Sequence, residues 1–538
     1  MNFTELNTIK QFVRTIETIR YLKPSQVFYR VKYILSPVRK LNRHYFSGDI
    51  CHSFSLTGLP EQKNIVSHRE GTFSVDILNL KKTYPSGINW ADLEYGRLWN
   101  YNLQYADFLN QSNLPITPRK ELLFDLYNWL FDGRIAPEPY PSSLRIMNMI
   151  RFHHSLYESP ENEPALLDII YSELRFLSGR FEYHLSGNHL LENAFALLMG
   201  GSYLRNQKWV DKAEKVLMIE LSEQILDDGA HYERSPMYHR IILFRILEAV
   251  SYTDTASEFH LMLKNFAEKM ISWMQKIAFR NRKLPNLNDS SDGVAFSATS
   301  LIGIAKDLKL DTELDLPLQS SGFRIFKTRS LECLIDVEGI KPDHQPGHAH
   351  ADSLSFLLHI NGEPVIIDPG TSTYDNNLRR QWERSTVAHN TITRHEENTA
   401  DVWHSFRVGK RPDVKIIEET ETTVYAELSC KIEGNVTFIH KRRFTKADDM
   451  LVIEDETDYA GRVTGRLYFA PGIQITIQSD GLDIQKDSIE AHIRFGNADK
   501  VTAFDYENAL GFNKTAKSTG IAYQFKNHCR MSISGIKT

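Results

Sequence analysis

The chain has 538 residues, more than one ordinary core holds, so two or more domains are expected. Its 41% hydrophobic and 24% charged residues lie in the range of folded globular proteins, which argues against a disordered or membrane-embedded chain. A net charge of −5 supplies no general basic field for nucleic acid, so an anionic ligand needs a local cluster of cations and amides.

Residues 1–22 carry apolar side chains at helical spacing, interrupted by Glu5, Lys10, Arg14, Glu17 and Arg20. They lack the unbroken apolar core of a signal peptide, and a cytoplasmic location is expected. No run of about 18 uncharged apolar residues occurs, so no membrane span is expected. Cys51, Cys333, Cys430 and Cys529 are scattered without CxxC spacing and read as reduced thiols.

Residues 1–90 read as a helical and irregular lead-in. In a second domain, 91–315, apolar spacing predicts helices near 118–131, 142–158, 164–184, 189–205, 208–226, 236–252, 257–279 and 294–308. Helices of similar length joined by short turns pack as antiparallel neighbours, and such a series closes into a bundle, a superhelix or a toroid. Periodicity leaves the three open.

The segment DTELDLPLQS at 311–320 is the expected hinge. Beyond it, residues 316–538 hold short β-branched and aromatic runs between turn residues, the pattern of an antiparallel β-sandwich. Asn361-Gly362 marks a two-residue hairpin, in which paired residue numbers sum to 723, so that Asp368 would face Ser355 and not His350.

Three polar clusters stand out. In SGNHLLENAF, Asn188 either caps a helix or, with His189, faces a ligand. DDGAHYERSPMYHR carries Glu233, Arg234, Tyr238 and His239 across an inter-helix loop. PDHQPGHAHADS, IIDPGTSTYD and RSTVAHNT bring His348, His350, Asp352, Asp368, Tyr374, Arg384 and His389 within a short stretch. In an extended chain His348 and His350 share a face, which suits metal ligation or acid/base chemistry near neutral pH.

The order of these pieces resembles the heparinase II/III-like polysaccharide lyases over roughly residues 90–400. Asn-His opens a helix at 188–189, followed by DGxxxExSxxYH at 228–239, GHxHAD at 347–352, DPGT at 368–371 and RSTxAHNT at 384–391. RLWNYNLQYADFL at 97–109 is similar to the lead-in of their helical domain. The resemblance, and not the periodicity, implies an (α/α) toroid followed by an antiparallel β-sandwich.

By the same resemblance Asn188, His189, Tyr238 and His348 correspond to catalytic residues. His239, Glu233, Arg234, Tyr374 and Arg384 are expected around the substrate, and His350, Asp368 and His389 correspond to a structural zinc set. The implied reaction is β-elimination in an acidic, uronate-containing polysaccharide, with an expected place in bacterial surface-polysaccharide metabolism. Removal of the hydrogen α to the uronate carboxylate builds negative charge, which amide donors stabilise as it develops. A base takes that hydrogen and an acid protonates the departing oxygen. A uronate epimerase on this scaffold shares the first step, and a non-catalytic glycan-binding protein is the alternative from another class. No partner other than the glycan is implied, and the sequence sets no oligomeric state.

Overall fold

The computed structural model describes residues 3–59, 61, 63–156, 164–486 and 489–535. Two helices, α1 (Phe3–Ile19) and α2 (Pro24–Leu35), open the chain, and a three-stranded antiparallel sheet follows over Val66–Arg69, Thr72–Ile77 and Leu80–Tyr84. The lead-in is therefore partly β, a correction to its helical and irregular reading. The strands turn tightly at Glu70-Gly71 and Leu78-Asn79, where all four residues have positive φ. Leu78 is not a residue type that announces such a turn.

After α3 (Gly96–Gln104) come α4 (Ile116–Asp132), α5 (Pro139–Ser155), α6 (Pro164–Ser178), α7 (Gly187–Tyr203) and α8 (Gln207–Gln224). The helical half closes with α9 (Pro236–Tyr252), α10 (Glu258–Ile277) and α11 (Ala298–Asp307). All eight expected helices are present. Residues 157 and 158 of the expected 142–158 helix lie outside the described residues, and α6 ends at Ser178 rather than at 184. The loop between α10 and α11 is longer than expected and runs to Ser297, whose hydroxyl accepts from Ser300 N and caps α11.

The helices pack as a toroid in which α7, against α5, α6, α8 and α9, is buried on almost every side. A Cβ on Gly200 would overlap the Leu174 side chain of α6, and one on Gly201 would lie 3.0 Å from the Val210 backbone of α8, so two glycines allow the close approach. Buried ion pairs join α5 to α6 through Arg145 and Glu173, α5 to α9 through Arg151 and Glu248, and α7 to α9 through Arg245 and Glu192.

The expected hinge is irregular chain, and Asp228 reaches across to it: its carboxylate accepts from Gln319 N, Ser321 N and the Ser321 hydroxyl. Gly229 follows with φ +87°, in a place where a Cβ would overlap the Lys269 carbonyl.

The second half is an antiparallel sandwich. An eight-stranded sheet takes the spatial order Asp413–Glu419, Thr423–Lys431, Thr437–Ala447, Met450–Thr457, His528–Gly535, Ile489–Gly496, Gly481–Lys486 and Gln474–Gln478. Two four-stranded sheets share its apolar core. One runs through Phe323–Lys327, Leu331–Asp336, Phe356–Ile360 and Glu363–Ile366, the other through Lys500–Gly511, Lys514–Lys526, Arg462–Tyr468 and Ile392–Thr393. Along Thr423–Lys431 every second residue is buried, as the period of a half-buried strand requires.

The Asn361-Gly362 hairpin forms with positive φ at both positions and pairs Ile360 with Glu363 and His359 with Pro364. A bulge then pairs Leu358 with Ile366, so the expected register does not extend to Asp368. Arg442, fully buried, pairs with Asp455 and donates to the carbonyls of Leu354 and Asn390, tying the large sheet to the two loops that carry the histidines.

Candidate active site

Between toroid and sandwich lies a cleft of ≈ 1420 Å³ lined by Asn188, His189, Tyr238, His348 and Tyr374. Ser186, not Asn188, takes the N-cap position of α7, in left-handed φ like Gly187 after it. Asn188 is thereby freed from capping. Its backbone N–H donates to Glu233 Oε1 at 3.0 Å and its Nδ2 to both Glu233 oxygens at 3.2 and 3.0 Å, while its Oδ1 is buried without a partner. Glu233 therefore orients Asn188 from behind and does not line the cleft.

Tyr238 sits in the first turn of α9. Pro236 begins that turn, and the Ser235 hydroxyl accepts from Tyr238 N at 3.3 Å while donating to the Asp289 carbonyl at 2.8 Å. The Tyr238 ring stacks on His348 with centroids 4.0 Å apart, and its hydroxyl lies 3.2 Å from that of Tyr374. Burial, reinforced by Tyr374, holds the Tyr238 phenol well above its ordinary pKa. Arg234, expected around the substrate, donates instead to the Gly339 and Ser320 carbonyls and faces Glu338, outside the cleft.

His348 is presented by the sandwich but held by the helical half. Asp289 N donates to the His348 carbonyl at 3.1 Å, and His350 N donates to Asn288 Oδ1 at 2.9 Å. The Asp289 carboxylate is the centre of the arrangement. It meets His348 Nδ1 at 2.9 Å and His350 Nε2 at 3.0 Å, and Arg380 donates to both its oxygens at 2.5 and 2.7 Å. Burial pushes its pKa up, but Arg380 and the two imidazoles outweigh burial and hold it well below the usual carboxylate range.

An ionised carboxylate only accepts, so His348 carries hydrogen on Nδ1 and His350 on Nε2. The other His348 nitrogen, Nε2, faces Asn188 Nδ2 3.5 Å away.

His189 lies across the cleft entrance of α7, its ring 4.2 Å from that of Tyr140 and its Nδ1 3.3 Å from Glu182 Oε2. Burial pulls the His189 pKa down, but the Glu182 carboxylate prevails and leaves it raised. Tyr374 packs against Phe406 and Phe512 at 5.0 and 4.9 Å, with the Arg380 guanidinium 4.9 Å from its ring centroid.

Two further expectations are corrected. His239 follows Tyr238 by one position, and the 100° rotation per helical residue turns it into the toroid core. There it accepts from His231 N at 3.2 Å and lies against Trp273 and the Met270 carbonyl. Arg384 is also buried and donates to the Ala349 carbonyl and towards those of His404 and Arg407, fastening the loop that carries His348.

The expected metal residues come together in part. His389 Nδ1 lies 2.7 Å from Asp368 Oδ2, and the His350 and His389 rings are 5.4 Å apart. His350 Nδ1 and His389 Nε2 are both buried with no hydrogen-bond partner, as is Asp352 Oδ2. Two imidazole nitrogens left bare in the interior fit a soft cation. Asp368 differs from expectation because its oxygens already accept from Gly370 N and from His389. Among the described residues no group of three or more His, Cys, Asp or Glu side chains is arranged to hold a metal ion.

Sequence reasoning missed Asp289, Arg380 and Tyr140. Asp289 lies in NLNDSSDG, which reads as an ordinary turn. Arg380 stands on α12 (Leu378–Glu383), a helix too short for a periodic signal, and Tyr140 on α5 is one aromatic among many.

Toroid, sandwich and a shared polar cleft define a two-domain architecture with one site between its halves. The family model for the heparinase II/III N-terminus matches residues 88–304, and that for the heparinase II/III-like C-terminal region matches 312–534. The chain belongs to the heparinase II/III-like family. It is 23% identical over 404 residues to a heparin-sulfate lyase of Bacteroides stercoris, covering 67% of this chain and 59% of that protein. With a heparin-sulfate lyase of Pedobacter heparinus it shares 24% over 485 residues, covering 81% and 68%. The chain thus spans less than two thirds of the length of the first of these relatives. A crystal structure of heparinase III superposes with a TM-score of 0.64 at 16% identity, over 84% of this chain and 80% of that one. The heparan sulfate lyase HepC of Pedobacter heparinus gives 0.56 at 17%, over 84% and 79%. These likenesses establish the fold.

Proposed function

We propose that the protein cleaves an acidic, uronate-containing polysaccharide by β-elimination. The observation that carries the reading is the meeting of Asn188, Tyr238 and His348 in one cleft although 160 positions separate the first from the last. Asn188 offers the uronate carboxylate the one Nδ2 hydrogen that Glu233 does not hold, and so stabilises the charge that grows on it. His348 Nε2, with its lone pair set by Asp289, takes the hydrogen on the adjacent carbon. Tyr238, protonated in its buried site, delivers a proton to the leaving oxygen.

Tyr238 and His348 are stacked at 4.0 Å on one wall, which suits removal and delivery of protons at neighbouring carbons. Epimerisation requires a donor on the opposite face of the sugar, so elimination is favoured.

The cleft balances seven Lys and Arg side chains (Arg30, Lys63, Arg97, Arg151, Arg245, Arg407 and Lys514) against six carboxylates (Glu61, Asp76, Asp107, Glu192, Asp292 and Asp375). That balance favours a sparsely charged uronate polymer over a densely sulfated one, and fits a role in bacterial surface-polysaccharide metabolism. The test is incubation of purified protein with sulfated and unsulfated uronate polymers while following absorbance of the conjugated product and chain length. Shortening with rising absorbance, strongest on unsulfated chains, is expected. Uronate inversion without cleavage, or binding without turnover on every polymer, would overturn the reading.

A structural zinc belongs to the same proposal, held by His350 Nδ1 and His389 Nε2, with Asp368 or Asp352 completing the set. Such an ion would stiffen the segment that presents His348.

A further inference from the structure

The two N-terminal helices hold their polar sides against the body and their apolar sides away from it. On α1, Arg14 pairs with Asp401 at 2.6 Å, and the Thr18 hydroxyl donates to the Val408 carbonyl at 3.1 Å. On α2, the Tyr33 hydroxyl donates to the Phe181 carbonyl at 2.6 Å, and Tyr29 stacks on Tyr183 at 4.6 Å. Both helices are therefore fastened to the fold.

Their outward faces are apolar at helical spacing. Phe12, Val13 and Ile16 are exposed on α1, and Val27, Phe28, Val31, Ile34 and Leu35 on α2, with Phe28 at 63%, Ile34 at 71% and Leu35 at 78%. An ordinary surface helix does not show water such a stripe, let alone two in succession.

The charge around the stripes is as uneven as their hydrophobicity. Residues 1–48 contain nine Lys and Arg against two Glu, whereas the remaining 490 contain 54 against 66 Asp and Glu. Lys32, Arg39, Lys40 and Arg43 are exposed, and none is paired with a carboxylate among the described residues. Facing two copies of this surface to each other would bring these cations together. Among the described residues no helix is long and apolar enough to cross a membrane, so the stripes are suited to lying on a bilayer and not to spanning it.

We propose that α1 and α2 dock the protein onto an anionic lipid surface, with the apolar stripes among the acyl chains and the basic residues against the headgroups. Leu22, Gln26 and Arg30, at the other side of these helices, line the cleft. Docking therefore sets one rim of the cleft beside the bilayer, where a lipid-borne glycan would enter. This inference does not depend on the elimination chemistry.

The test is flotation of the full chain with vesicles of phosphatidylcholine plus phosphatidylglycerol, against vesicles of phosphatidylcholine alone. Binding is expected only to the anionic vesicles and should weaken as salt shortens the screening length. Phe28→Ser with Ile34→Ser and Leu35→Ser should abolish it. Lys32→Gln with Arg39→Gln and Lys40→Gln should lower partitioning by about a hundredfold. Both variants alter exposed side chains outside the cleft, so melting temperature and turnover on a soluble polymer should stay at the parent values. Retained flotation in both variants overturns the proposal, as does absence of binding to anionic vesicles. A concentration-dependent dimer that the serine variant abolishes, without lipid binding, would assign the face to a second copy instead. Loss of turnover on soluble polymer in the parent protein would count against the proposed reaction and leave the lipid result standing.

Discussion

Burial holds the Tyr238 phenol protonated, and among the described residues its hydroxyl has only another phenol, Tyr374, within hydrogen-bonding distance. Tyr238→Phe removes the proton donor while keeping the ring stacked on His348. Turnover should fall roughly 10²- to 10⁴-fold with glycan affinity nearly unchanged, as measured by steady-state kinetics beside equilibrium binding. Near-normal turnover would remove Tyr238 from proton transfer. Asp289→Asn breaks a buried charge pair with Arg380 and frees the His348 ring to take the other tautomer. It should cost about 3–5 kcal/mol of stability and reduce turnover even where the protein remains folded. Parent-like kinetics in the folded variant would sink the orienting role. The sequence named Asn188, Tyr238, His348 and Tyr374, whose chemistry is visible in their side chains, but not Asp289. An aspartate in a turn gains its meaning only from the histidines and arginine that the fold brings to it. His239 shows the converse, since adjacency to Tyr238 along the chain means separation on a helix.

At the scale of an element, the α8–α9 connection and the start of α9 carry two buried neutral imidazoles. Burial lowers the His239 pKa to about 3 and the His231 pKa to about 4. Below the ordinary imidazole value of about 6.5 the unfolded chain takes up protons that these folded sites refuse. Stability should therefore fall as pH drops from about 6.5 towards 4. His239→Gln should flatten that slope in thermal melts over this window, lower the melting temperature at neutral pH and leave glycan affinity unaltered. An unchanged slope would mean that His239 is not held neutral, and a loss of affinity would return it to the substrate site. The helices themselves were legible because eight amphipathic or buried segments repeat a strong period. The sheet at 66–84 was not, because its strands are short, and turns through Glu70 and Leu78 lack the usual residue types. The bulge at Val365 was equally hidden, since an extra residue in a ladder leaves no mark in the alternation.

The whole molecule depends on loops of the sandwich being held from both sides, by Arg442 within and by Asn288 and Asp289 without. The change from helical to strand period near residue 316 falls between α11 and the strand Phe323–Lys327, but no periodicity could tell that the halves share a site. That joining was legible only through the family resemblance. If zinc sits at His350 and His389, removing one ligand should unfasten the sandwich first. His350→Ala should melt earlier than the parent and no longer respond to added zinc, and a chelator should shift the parent towards the variant. Parent-like melting of the variant, with no zinc found in the purified protein by elemental analysis, would exclude the metal.

The bond from Asp289 to His348 has a further consequence for how the protein could be divided. The orienting carboxylate and the imidazole it orients are encoded on opposite sides of the 311–320 linker, so neither half contains a complete proton-transfer unit. Turnover becomes a logical conjunction: it reports that both halves are folded and that they are joined face to face. Expressed as two chains cut at that linker, each should be silent alone, and mixing them should restore activity only to the extent that they reassociate.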